Sequence, residues 1–120
     1  MGQYFEKMFF WDEFLCYYSE DEINYIGNSS LEKRSNNTDK INQLNKKCKC
    51  TYYNLDYDYD KDTFECNDKE YDLKSQTFYF IQKLNTNIPL ILNITSMNLR
   101  LMGTLLFNIK KNGFDKVFCL

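Results

Sequence analysis

Between Tyr4 and Tyr18, apolar residues recur at helical spacing: Tyr4, Met8, Trp11, Leu15 and Tyr18 follow one another at four- and three-residue steps. That spacing lays them along one stripe of a 3.6-residue helix. Phe5, Phe9 and Phe14 widen the stripe past a single face, which suits a helix held between layers or docked on a partner. Ser19 and Glu22 then fit the Ser-x-x-Glu capping box, predicting a short second helix that ends at Gly27. From Asn28 to Lys47 only Leu31, Ile41 and Leu44 are strongly apolar, so this stretch reads as an exposed loop or linker with a marginal helical turn or two over Asp39–Lys46.

From Thr51 the period changes to two. Tyr53, Leu55, Tyr57 and Tyr59 fall on one face of a strand, and Asn54, Asp56, Asp58 and Asp60 on the other. Asp60-Lys61-Asp62 predicts a turn and Thr63–Cys66 a returning strand, together a hairpin with an acidic outer face. A helix holding Phe78, Phe80, Ile81 and Leu84 follows, punctuated by Asn85-Thr86-Asn87. The branched apolar run Ile88–Ile94 then reads as a strand, Ser96–Asn98 as a turn, and the stretch to Lys111 as an amphipathic helix. Its inward positions are Met102, Leu105, Leu106 and Ile109, its outward ones Arg100, Thr104, Asn108 and Lys111. Asn112-Gly113 ends it, and Phe114–Leu120 is a second strand, completing a βαβ unit. The chain stops inside that strand, which predicts either a strand buried at the sheet centre or a fragment.

The fold class expected is therefore a mixed α+β domain with an N-terminal aromatic-rich helix, an acidic-faced β-hairpin and a C-terminal βαβ unit. Residues 1–27 form the helical segment, 28–50 a polar linker or loop, and 51–120 the α/β part of the same single domain. A length of 120 residues leaves room for one core, and 18% aromatic residues can fill it.

A net charge of −2 gives no global pull toward nucleic acid. The charges are segregated: Lys33, Arg34, Lys40, Lys46, Lys47 and Lys49 dominate Glu32–Lys49, whereas acids dominate Asp56–Asp72. Lys46-Lys47-Cys48-Lys49 beside Tyr52 and Tyr53 has the basic–aromatic look of RNA-binding strands, but a solvated basic loop has it too. The five cysteines cannot all pair, no export signal is visible and no run is long enough to span a membrane, so an intracellular protein, cytoplasmic or nuclear, is expected.

Candidate chemistry is sparse. With no histidine, the commonest general base and every Ser-His or Cys-His pair are missing. Cys48-Lys49-Cys50 with a distant Cys66 lacks the two chelating pairs of a zinc site. Asp56, Asp58, Asp60 and Asp62 alternate as in a calcium loop, yet Lys61 and Asn67 occupy the positions that need Gly and Glu. No glycine-rich phosphate loop exists. Neither metal nor cofactor is expected.

Leu90–Leu120 resembles the strand–turn–helix–strand stretch of STAS domains, small α/β modules that act by binding partners. Where that family opens its helix with Asp-Ser-Ser-Gly, this chain has Arg100-Leu101-Met102-Gly103, so only Gly103 matches and the phosphorylation switch would be missing. Other α/β folds share the hydrophobic pattern, and membership is not inferred.

The function expected is a small non-catalytic interaction module or subunit whose partner is another protein, anchored by Tyr4, Phe10 and Trp11. The alternative is an α/β enzyme or enzyme fragment with a small-molecule site at the 95–100 turn. There Ser96 and Asn98 would hydrogen-bond a ligand and Arg100 would pair an anion.

Overall fold

A computed structural model describes residues 11–28, 37–75, 78–95 and 97–120. Helix α1 (Trp11–Tyr17) leads into β1 (Glu22–Asn28), and α2 (Asn37–Asn45) into β2 (Lys49–Asp58). Two short strands follow, β3 (Thr63–Cys66) and β4 (Lys69–Asp72), then α3 (Tyr79–Gln82), β5 (Leu90–Leu92), α4 (Leu99–Asn112) and β6 (Val117–Cys119). The strands form one mixed six-stranded sheet in the order β4-β3-β2-β1-β5-β6. β2, β1, β5 and β6 run parallel, whereas β3 and β4 add an antiparallel wing.

This is the α+β class expected, with the C-terminal βαβ unit formed by β5, α4 and β6 and the acidic-faced hairpin by β2 and β3. Residues 22–27 are a strand, not the second helix that the capping box predicts. Ile23 and Tyr25 face one side of the sheet and Ile26 the other, and all three are buried. Burial on both faces removes the two-residue alternation that would have marked the strand. Within the polar stretch, α2 is a full helix anchored by buried Leu44.

Two cores flank the sheet. On one side Phe14, Tyr18 and Leu44 from α1 and α2 pack on Tyr25, Ile91 and Phe118. On the other, α3 and α4 cover Ile26, Leu55, Phe64, Leu90, Leu92 and Val117. The parallel half is thus a three-layer sandwich. The wing is covered on the α3–α4 side by contacts of Phe64 and Tyr71 with Phe78 and Phe80. Its other face carries exposed Asp56, Glu65 and Glu70, which sit opposite one another across three strands. A two-residue turn, Asn67-Asp68, joins β3 and β4 with φ of 54° and 63°, the left-handed pair that hairpins of this length use.

Helix α4 is rotated from its predicted setting. Its buried residues are Leu101, Leu105, Asn108 and Ile109, while Met102 and Leu106 are half-buried and Leu99 and Phe107 exposed. Asn108, expected outside, is inside because its Oδ1 accepts from the backbone N–H of Phe78 at 3.0 Å, fixing the start of α3. Asn98 caps the helix and Gly113, at φ 72°, ends it in the left-handed region.

Candidate functional site

β1 and β5 are parallel neighbours, but the chain leaves them in opposite directions. After β1 it passes to α2 on one face, and after β5 to α4 on the other. Open α/β sheets bind ligands at such a divergence, outside the carboxyl ends of the two strands. Here the place is built from amides and a phenol. Asn93, just past β5 and 1% exposed, donates through Nδ2 to Tyr25 Oη and Asn37 Oδ1, both at 2.8 Å. Tyr25 donates its hydroxyl to Asn37 Oδ1 at 2.7 Å, and Asn37 donates to the Asn28 carbonyl at 3.1 Å. Asn93 Oδ1 meanwhile accepts from the Thr95 N–H, folding the first residues after β5 back on themselves.

Gly27 makes the cluster possible. A Cβ there would come within 2.8–2.9 Å of the Asn37 amide, so only glycine lets the start of α2 lie against β1. Burial pushes the Tyr25 phenol well above its ordinary value, so it stays neutral. The cluster therefore offers hydrogen-bond donors and acceptors without a charge or a proton to exchange near neutrality.

A second concavity lies beside the start of α4, lined by Tyr57, Tyr59, Asp62, Asn98 and Arg100, with a volume of about 420 Å³. Asn98 Oδ1 accepts from the N–H of Arg100 at 2.8 Å and of Leu101 at 3.4 Å. Arg100 Nε reaches both Asp62 oxygens at 2.6 and 2.8 Å, and Nη2 reaches Oδ2 at 2.6 Å. Those hydrogen bonds hold the Asp62 carboxyl below its usual range, and the Tyr57 hydroxyl adds a contact at 3.3 Å. Asp62 itself has φ 56° at the hairpin turn, so the pair clasps the hairpin to α4. Around the groove, large side chains point into water: Leu99 is 78% exposed, Tyr59 77%, and Phe107, two turns along α4, 55%.

The remaining groups are quiet. All five cysteines are free. Burial pushes the thiols of Cys66 and Cys119 up to about 11 and that of Cys50 to about 12, so they carry little thiolate near neutrality. Among the described residues no group of three or more His, Cys, Asp or Glu side chains could hold a metal ion. No described helix is long and apolar enough to cross a membrane.

Of the residues expected to bind a ligand, Asn98 and Arg100 share the α4 groove, with Arg100 committed to Asp62; Ser96 lies outside the described residues. Of the expected partner anchors, Tyr4 and Phe10 also lie outside them. Trp11 is half-buried, stacked on Phe14 at 5.7 Å, with Lys40 over its ring and its indole N–H donated to Gln43 of α2. Lys47, from the basic cluster, donates to the Leu15 carbonyl and ties α1 to the end of α2.

Tyr25, Asn37, Asn93, Leu99 and Phe107 were not singled out by sequence reasoning. Leu99 and Phe107 carried a signal: they lie eight residues apart, four on either side of Gly103, on the side away from the buried stripe. Comparison with known proteins adds no relative, since no family model, no curated protein and no solved structure matches the chain significantly.

Proposed function

We propose that this chain is a small non-catalytic interaction module whose contact surface is the outer face of α4 and the adjoining groove. The observation that carries this reading is the exposure of Leu99, Tyr59 and Phe107 around that groove. Large apolar and aromatic side chains grouped on one surface supply the anchors from which interfaces draw most of their energy. The reading is supported further by the chemistry of the polar groups, which are neutral amides, a neutral phenol and protonated thiols. The partner is another protein, and the five free thiols favour an intracellular setting.

Photo-crosslinking tests the surface. A photoreactive residue placed at Leu99 or Phe107 of the full chain is expected to give discrete adducts in cells, and one at exposed Thr38 is not. Equal labelling from all three positions, or none from α4, would overturn it.

A second reading has one specific observation behind it, the polar cluster at the divergence of β1 and β5. It assigns a small neutral polar ligand to the carboxyl ends of those strands. Its test is thermal shift of the full chain against a panel of neutral polar metabolites, with Asn93→Ala expected to abolish any shift that the parent protein shows.

A further inference from the structure

We infer that the partner on the α4 face is a second copy of this chain, seated with the two α4 helices antiparallel and crossing at Gly103. The inference rests on the interaction reading above and names its occupant. Three features of the surface point to a copy.

The first is the centre of the face. At 100° per residue, Gly103 lies opposite the buried stripe of Leu101, Leu105, Asn108 and Ile109, in the middle of the exposed side. A Cβ built on Gly103 meets nothing within 4 Å, so a backbone can approach there unobstructed.

The second is the symmetry of what flanks it. Leu99 and Phe107 are each four residues from Gly103, and half-buried Met102 and Leu106 run beside them. In an antiparallel pair crossing at Gly103, residue 103+k faces residue 103−k of the copy. Leu99 then covers the copy's Phe107, and its own Phe107 is covered in turn by the copy's Leu99. A two-fold interface needs this self-complementarity.

The third is charge. One end of the face is basic, with Lys110 and Lys111 in the last turn of α4. At the other end lies the hairpin turn carrying Asp58, Asp60 and Asp62, drawn against α4 by the Arg100–Asp62 pair. Antiparallel seating places the basic end of each helix beside the acidic hairpin of the other. A parallel seating would stack like charges at both ends.

Sedimentation of the purified full chain over roughly 1–200 µM reads the association. The mass is expected to rise from 14.5 kDa toward twice that value with concentration. Gly103→Leu is the decisive variant. Its side chain has open space in the monomer, so the melting temperature holds or rises, while association weakens by about tenfold or more. Phe107→Glu is expected to leave a monomer, and Lys110→Glu with Lys111→Glu to weaken association in a way that Asp58→Lys with Asp60→Lys restores. A chain that stays monomeric throughout, or a dimer that Gly103→Leu leaves intact, overturns the inference. Crosslinking at Leu99 between two differently tagged copies separates the two proposals. A mixed-tag adduct supports both. An adduct with another protein alone sinks the dimer and keeps the interaction reading, and no adduct sinks both.

Discussion

A single hydrogen atom at Gly27 in place of a side chain decides where α2 can start. The Asn37 amide occupies the space a methyl group would take, and it cannot swing aside without giving up Tyr25, Asn93 and the Asn28 carbonyl. Gly27→Ala is therefore expected to cost about 1–3 kcal/mol in urea denaturation. The loss should be coupled to Asn37: Gly27→Ala with Asn37→Ala is expected to cost less than the sum of the two single changes. Equal, additive losses would mean that the crowding is relieved elsewhere. Asn93 illustrates a different limit of reading residues one at a time. In the sequence it is one asparagine among many, and only pairing β5 with β1 brings it to Tyr25, 68 residues away in the chain.

At the level of elements, legibility followed the number of covered faces. The β2–β3 hairpin was readable because one of its faces is wet, so apolar and acidic residues alternate. α4 was readable for its length and ends, though its rotation was not, since Asn108 looks outward-facing until Phe78 is seen to need its carbonyl oxygen. β1 was misread because a capping box is a local signal, while a strand buried on both sides announces itself only through its neighbours. β4 went unread because its four residues, Lys69–Asp72, carry a single buried side chain.

The wing also holds a correctable conflict. Glu65 sits directly opposite Asp56 on one side and Glu70 on the other, and like charges facing across strands repel. Glu65→Lys is expected to raise stability by roughly 0.2–1 kcal/mol per pair at low ionic strength, with the gain shrinking as salt screens it. A variant no more stable than the parent at low salt would show that the acids already splay apart.

For the whole molecule, the buried thiols set an alkaline limit. Cys66 and Cys119 ionise near 9.0 in the unfolded chain but only near 11 when folded. Above pH 9 the unfolded state therefore sheds protons that the native state retains, and stability falls with rising pH until the native thiols titrate as well. Each thiol is expected to remove about 1 kcal/mol per pH unit within that window. Serine at both positions should flatten the decline, measured as midpoint denaturant concentration from pH 8 to 11. The Arg100–Asp62 clasp bounds the acid side with the opposite sign. Its carboxyl is held low, so its contribution is full above the ordinary carboxylate range and fades as pH drops through the folded value.

The central place of β1 also dictates when the chain can finish folding during synthesis. β1 and α1 emerge from the ribosome early, but β1 takes its second neighbour from Leu90–Leu92, and Phe14 and Tyr18 of the first layer rest on Phe118. The amino-terminal half must wait, its aromatic side chains uncovered, until almost the entire chain has been made. A nascent chain arrested before β5 should consequently remain open to protease and to chaperones, whereas one released past Cys119 should close in a single step.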